Sequence, residues 1–161
     1  MEQKMAALIN LHGIVATDSW GVVSDDEGLN AAIALPAQQL ILTIPLWQTN
    51  GTALADQGCK VGVWLWPDDD PESLISIVHT LPIIAVHFPV FTDGRGYSHG
   101  KILRDRLRYR GELRATGDVL RDQMYFLSRC GFSSFALRAD QNPEECLIAL
   151  NDFTWAPLVG N

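Results

Sequence analysis

Three arginines, Arg95, Arg114 and Arg138, lie in the second half of the sequence where short apolar runs end. A guanidinium group presents a planar fork of N–H donors that matches a carboxylate, a phosphate or a sulfur oxyanion. The loop around Arg95 reads TDGRGYS, and its glycines, Gly94 and Gly96, allow a backbone to come close to a ligand. We therefore expect the three arginines to bind a small anion if the fold brings them together.

Aspartates recur in the same region, with Asp93, Asp118 and Asp140 separated by 25 and 22 residues. A step of that length fits one strand–helix unit. Two other interpretations remain open, because Asp118 is also placed to cap a following helix. Asp93 can likewise form an ion pair with Arg95 that only holds the loop in shape.

The elements that would position these residues begin at residue 60, where short apolar runs alternate with amphipathic runs. The predicted strands are 60–66, 83–91, 112–116 and 134–138, and the predicted helices are 71–81, 98–109, 119–130 and 143–153. Four successive strand–helix units predict an α/β fold with a parallel sheet, either open or closing toward a partial barrel. Ligands bind such sheets at the carboxyl ends of the strands, where distant residues converge.

The first 59 residues are less regular and predict an N-terminal β arm. Segments 7–15 and 20–24 could form an opening hairpin, and 40–48 a further strand that leads to a short helix near 52–56. Residues 24–38 are expected to be mostly loop, with room for a short helical piece at 29–35. Because no linker or low-complexity segment interrupts the chain, we predict a single domain over residues 1–161.

The charge is unevenly distributed along the chain. The net charge is −7, yet the segment from Arg95 to Arg129 holds nine of the twelve basic residues and only four acids. That segment is therefore about +5 and the remainder about −12. An acidic chain is a poor nucleic-acid binder, because neutralising phosphates requires a broad positive face. A small anion or an acidic partner suits a positive island better.

Other compositional features exclude several classes of protein. The three cysteines are widely spaced without a CxxC pair, which argues against a disulfide framework, a zinc site or an iron–sulfur cluster. No apolar run approaches the roughly 20 residues of a membrane span, and no secretory signal is seen, so a cytoplasmic protein is expected. No dinucleotide-binding or phosphate-loop glycine motif is present. The sequence thus predicts no metal and names no cofactor.

Candidate catalytic residues are few. Asp93 and His99 flank the glycine loop and could act as a general acid or base if their pKa values suited the task. Tyr97 and Ser98 belong to the same loop, where Tyr97 is either a core aromatic or a ring over the ligand. His87 lies within an apolar strand and is interpreted as a hydrogen-bonded interior histidine.

Three blocks of the chain resemble a known family. They are FTDGRGYS (91–98), GELRATGDVLRDQ (111–123) and RCGFSSFALR (129–138), and the likeness continues in WLWPDDDPESL (64–74) and LNDFTWAP (150–157). These blocks resemble the signature of the bacterial DUF934 family, small cytoplasmic proteins described as oxidoreductases of sulfite reduction. The resemblance implies sulfite or a related oxyanion as ligand and sulfite reductase as partner.

Three functions follow as hypotheses. The first is an accessory protein of assimilatory sulfite reduction that binds an oxyanion or a sulfur metabolite at the strand ends. The second is an enzyme that uses Asp93 or His99, although electron transfer would require a cofactor that the sequence does not reveal. The third is a module that docks its basic helix, residues 101–110, on an acidic partner. A homodimer is also plausible, given five tryptophans.

Overall fold

A computed structural model of the chain describes residues 7–34 and 38–152, in which eight strands form one sheet. The strands are β1 (Leu8–Asn10), β2 (Gly13–Val15), β3 (Gly21–Val23), β4 (Gln39–Thr43), β5 (Lys60–Leu65), β6 (Ile83–Phe88), β7 (Glu112–Gly117) and β8 (Ser134–Ala136). The helices are α1 (Asp26–Ile33), α2 (Ile44–Asp56), α3 (Arg95–Lys101), α4 (Met124–Arg129) and α5 (Pro143–Asp152).

The strand order across the sheet is β2-β1-β8-β7-β6-β5-β4-β3. Strands β3 to β8 are parallel and adjacent in chain order, whereas β1 is antiparallel to both β2 and β8. The predicted α/β class is confirmed. The prediction of a parallel sheet was wrong for the whole sheet, because the N-terminal hairpin adds an antiparallel edge. The sheet curls into an open half-barrel.

The succession of parallel strands explains where the helices lie. Each crossover moves one strand further in the same direction, and right-handed crossovers of that kind place their helices on the same side of a sheet. Buried strand residues such as Val63 and Leu65 share clusters with helical residues such as Leu103 and Leu127. We call this side the helix face and the opposite side the open face.

The open face carries a smaller apolar cluster with polar groups beside it. Ile41, Trp64, Ile83 and Ala85 form the cluster, and Trp20, from the segment before β3, packs against it. Because successive side chains along a strand point to opposite faces, the strand residues of this cluster are sequence neighbours of residues in the core of the helix face. The N-terminal segment therefore covers part of the face that the helices leave exposed.

Several predicted elements differ in the structure. Segment 20–24 forms β3, which pairs with β4 rather than with the first hairpin, and α2 begins at Ile44, directly after β4. The predicted helix 71–81 consists of two short 3₁₀ segments. Residue 153, the predicted end of the last helix, and the last residue of the expected helical piece 29–35 lie outside the described residues.

Candidate functional site

The carboxyl ends of β5 to β8 lie at one edge of the sheet because these strands are parallel. The loop after β6 contacts the end of β7, where the backbone N–H of Phe91 donates to Oδ2 of Asp118 at 2.8 Å. Arg138, beyond β8, donates from Nη1 to Oδ1 of the same carboxylate at 2.7 Å. Asp118 thus joins three strand ends. It does not cap a helix at Val119, since the next helical turn begins at Arg121.

Arg95 lies at the same edge and is held by two carboxylates. Its Nε and Nη2 donate to Asp93 at 3.0 and 2.8 Å, and its Nη1 donates to Asp68 at 2.6 Å. Hydrogen bonds from the Arg95 side chain and backbone lower the pKa of Asp93 to about 2. The ion pair considered as an alternative to ligand binding is therefore present, and it leaves room for Asp68 as a second partner.

Arg138 has a matching arrangement. Its Nε and Nη2 donate to Asp140 at 2.7 and 2.9 Å, while Nη1 contacts Asp118. The hydrogen bonds from Arg138 lower the pKa of Asp140 to about 2. We refer to the two arginines with their four carboxylates as the edge site. Each guanidinium faces two carboxylates, so each half of the edge site has a formal charge of −1.

The partners of Arg95 differ in how firmly they are held. The Asp68 side chain is 90% exposed and that of Arg95 is 56% exposed, whereas Asp93 is only 14% exposed. Exposed ion pairs contribute about 0–1 kcal/mol, because water and salt screen them. The contact between Asp68 and Arg95 can therefore open at little cost. Asp68 directly follows a predicted strand, and that position is the sequence signal that could have identified it.

Arg114 does not join the other predicted site residues. It lies in the middle of β7, on the open face, and its side chain is 6% exposed. Its Nη1 donates to both oxygens of Asp18 at 3.2 and 3.1 Å, and its Nη2 donates to Glu112 at 3.0 Å. The structure therefore brings Asp93, Arg95, Asp118 and Arg138 to one edge, and it places Arg114 elsewhere.

The glycine loop leads directly into α3. Gly94 is the N-cap residue, with φ −72°, and Ser98 is an exposed residue within the helix. A Cβ at Gly96 would meet the Phe88 ring, so this glycine allows α3 to pack closely on β6. The Tyr97 ring packs edge-on against Phe88, with 5.1 Å between centroids. Tyr97 is thus partly a core aromatic.

His99 is buried between α3 and the loop after β5. Its Nε2 donates toward the carbonyl oxygens of Trp66 and Pro67, both at 3.2 Å. Among the described residues, its buried Nδ1 has no hydrogen-bond partner. These contacts join the helix to the strand end. Catalysis by His99 or Asp93 stays a prediction.

A cluster around His87 on the open face was not predicted. The His87 ring stacks on Trp64 at 4.9 Å and meets Trp66 edge-on at 5.0 Å. Its Nδ1 lies 3.1 Å from Oγ1 of Thr116, whose hydroxyl donates to the Val86 carbonyl oxygen. This hydrogen bond joins β6 to β7 on the open face. The hydrogen-bonded state of His87 agrees with its sequence interpretation, and alternation along β5 and β6 is the signal for its aromatic neighbours.

Basic side chains in the segment after the glycine loop are engaged in contacts within the protein. Arg104 turns inward and donates to the carbonyl oxygens of Tyr109, Gly111 and Gly131, and burial lowers its pKa. Lys101 pairs with Asp105 at 3.7 Å across one helical turn. Lys101 therefore lies on a solvated surface, whereas Arg104 is packed inward.

Within residues 7–34 and 38–152, no group of three or more His, Cys, Asp or Glu side chains is arranged to hold a metal ion. None of the helices in those ranges is both long and apolar enough to cross a bilayer.

The fold and the edge site define a class of protein, an α/β half-barrel with paired charges at the carboxyl ends of its parallel strands. The family model of DUF934, described as a bacterial protein of unknown function, matches residues 62–156. This match covers more than half of the chain, so the chain belongs to the DUF934 family, as the resemblance indicated. No curated protein matches the chain.

Proposed function

We propose that this protein binds a small oxyanion or sulfur metabolite at the edge site and acts as an accessory protein of sulfite reduction, with sulfite reductase as its protein partner. One observation carries the proposal: half-exposed Arg95 is held firmly by Asp93 but only loosely by Asp68. An entering anion can take the place of Asp68 on Nη1 while Asp93 keeps Nε and Nη2 in position. Once Asp68 has moved away, the remaining pair of Arg95 and Asp93 is neutral, so the anion does not meet a net negative charge.

The position of the edge site supports the same proposal. Parallel α/β sheets bind ligands at the carboxyl ends of their strands. Arg138 lies at that edge as well, and the hydrogen bond from Phe91 to Asp118 links its loop to the one that carries Arg95. The sulfite-reduction setting rests on the resemblance of the sequence blocks to DUF934. Sulfite is therefore the first oxyanion to test.

Thermal melting with sulfite, sulfate and phosphate tests the proposal. A ligand at 100 times its Kd stabilises a protein by about 2.7 kcal/mol, which raises the Tm of a chain of this size by roughly 5–10 °C. We expect sulfite to raise the Tm of the wild type. We expect Arg95→Gln to abolish the shift, and Asp68→Asn to enlarge it, because the competing carboxylate is gone.

Arg110→Gln is the matched control for these variants. Arg110 is exposed and precedes β7, so it lies at the opposite edge of the sheet, and the substitution removes the same charge as Arg95→Gln. The control should keep the full sulfite shift. The proposal is wrong if none of the anions raises the Tm, or if Arg110→Gln reduces the shift as much as Arg95→Gln does.

The docking hypothesis predicts a different result. Arg106, Arg108 and Arg110 are the exposed arginines that follow the inward-facing Arg104, and Arg106 pairs with Glu72. Binding of an acidic partner through them would weaken steeply with added salt, since exposed charges are screened beyond about 10 Å at 0.1 M salt. Loss of partner capture in Arg110→Gln, with the anion response unchanged, would favour docking. The homodimer stays a prediction.

A further inference from the structure

A cavity of 390 Å³ opens on the face that the helices leave uncovered, and none of the edge-site residues lines it. Its walls come from the β1–β2 hairpin, the segment that leads to β3, and the beginnings of β7 and β8. Among its lining residues are Leu11, Asp18, Trp20, Glu112 and Arg114. We call it the arm cavity. Its volume falls within the range of small-molecule pockets, about 300–1,000 Å³.

The polar side of the arm cavity contains a buried arginine, which is unusual for a purely structural interior. Arg114 is almost fully buried there, and its Nε also contacts Oγ of Ser134 at 3.3 Å. Taking a guanidinium out of water is costly, and apolar residues of similar volume often stabilise a fold as well or better. The register places Ala85 and Ser134 beside Arg114, so the charge is introduced between small neighbours.

The unused hydrogen-bonding capacity around Arg114 lies mainly on the acceptor oxygens of the two carboxylates. The three side-chain nitrogens of Arg114 make four hydrogen bonds, to Ser134, Asp18 and Glu112. Glu112 accepts both of its hydrogen bonds at Oε2, from Arg114 and from the Ser134 hydroxyl. In the described part of the chain, Oε1 of Glu112 has no partner. Two carboxylates against one guanidinium leave a formal charge of −1.

The rest of the lining suits a short hydrocarbon chain beside a cation. Leu8, Leu11 and Val15 supply aliphatic surface, and the Trp20 ring provides a face of the kind that attracts cations. The carboxylates of Asp18 and Glu112 are 40% and 35% exposed, so both are open to a ligand from solvent. The net charge of −7 further favours the approach of cations.

We propose that the arm cavity binds a small organic cation, a primary ammonium group on a short aliphatic chain. The ammonium donates to Oε1 of Glu112 and to Oδ2 of Asp18, which has Arg114 as its one partner among the described residues. The aliphatic chain lies along Leu11 and the Trp20 ring. This site is separate from the edge site and does not depend on the function proposed there.

Calorimetric titration with n-butylammonium chloride tests this proposal, with n-butanol and sodium butyrate as probes that lack the cation. We expect saturable binding of butylammonium and none of the other two. Glu112→Gln should weaken binding by about tenfold or more, as expected when a charge-assisted hydrogen bond is lost. Asp105→Asn removes one exposed carboxylate on the helix face and should leave the affinity unchanged.

A second variant leaves the Arg114 contacts intact, in case Glu112→Gln does not fold. Leu11 is 45% exposed in the cavity wall, and Leu11→Arg places a competing cation there. We expect it to weaken butylammonium binding by a similar factor. The proposal is overturned if butylammonium does not saturate, if butyrate or butanol binds equally well, if Leu11→Arg leaves the affinity unchanged, or if Asp105→Asn weakens it as much.

Discussion

His87 shows how the environment of one side chain sets its chemistry. The ring is half-buried between Trp64 and Trp66, and its Nδ1 is hydrogen-bonded to the Thr116 hydroxyl. Desolvation of the charged form lowers its pKa below the usual value of 6.5. The imidazole is therefore neutral at pH 7, and protonation would place a charge among aromatic rings.

This shift predicts a pH-dependent stability. Because the pKa of His87 is lower in the folded chain than in the unfolded chain, the unfolded state binds the proton more readily as pH falls below 6.5. The free energy of unfolding should therefore decrease as the pH is lowered below 6.5, by at most about 1.4 kcal/mol per pH unit for this one proton. Above pH 6.5, His87 is neutral in both states and its titration should no longer lower the free energy of unfolding.

Urea denaturation of the wild type and of His87→Phe, each at several pH values, measures this contribution. Phenylalanine keeps an aromatic ring between the tryptophans but cannot bind a proton. We expect the stability advantage of the wild type to shrink as the solution is acidified. A difference that is constant with pH would contradict the prediction, as would one that grows in acid.

At the scale of elements, the apolar pattern of the sequence predicted which residues are buried but not the type of helical turn that the backbone forms. In segment 71–81, Leu74, Val78 and Leu81 are buried on the helix face, as helical periodicity predicts. The backbone nevertheless forms 3₁₀ turns. β-branched residues such as Ile75 and Ile77 favour an α-helix less, and Pro82 closes the segment. The same side chains are therefore buried by a tighter backbone.

The end of β7 requires a left-handed backbone conformation that residues with a side chain rarely adopt. Gly117 has φ +93°, and a Cβ there would meet the Phe88 carbonyl oxygen and come within 2.8 Å of the His87 ring. Gly117→Ala should therefore lower the free energy of unfolding by about 1–3 kcal/mol. The urea midpoint should fall in proportion, with an unchanged m-value.

Gly94→Ala is the matched control, because Gly94 has φ −72° and a Cβ there would have no atom within 4 Å. We expect this variant to be neutral or to gain up to about 1 kcal/mol, since alanine restricts the unfolded chain. Equal destabilisation by both variants would contradict the role assigned to the left-handed conformation of Gly117.

At the scale of the whole molecule, the arm that covers the open face is joined to the sheet across 96 residues of sequence by the contact between Asp18 and Arg114. The hairpin is also joined to β8 through antiparallel pairing. A singly wound sheet leaves one face without helices, so the N-terminal segment shields residues such as Ile83 and Trp64.

Asp18→Asn should therefore release the arm more than it destabilises the core. We expect faster amide hydrogen exchange over residues 13–22, together with a loss of about 1–3 kcal/mol from the charge-assisted contact with Arg114. Exchange in β5 and β6 should change only by the amount of the global destabilisation. Unchanged exchange in 13–22 would show that the ion pair does not hold the arm.

Asp105→Asn serves as the control for that experiment. It removes a carboxylate from an exposed pair with Lys101, which contributes at most a few tenths of a kcal/mol. Its exchange pattern should match that of the wild type. Faster exchange of the arm in this control would point to an effect of net charge rather than of the Arg114 contact.

Local sequence pattern was enough to predict the four strands in the second half of the chain and part of the edge site. Apolar runs identified β5 to β8, and polar residues directly after them, such as Asp93, Arg95, Asp118 and Arg138, lie at the carboxyl edge. These positions follow from where each strand ends, which is a local property. The family resemblance rests on the same blocks, and the match to DUF934 confirms it.

Strand order and register decided the rest, because they join residues that no local pattern relates. The hairpin pairs with β8, which makes the sheet mixed, and Arg114 lies on the open face beside Asp18 instead of at the edge. Pairing also places two carboxylates on each edge arginine, so neither Arg95 nor Arg138 is the free cation that the sequence indicated. Charge in a sequence is a sum over residues, whereas the field at a site depends on which residues the fold places within a few ångströms.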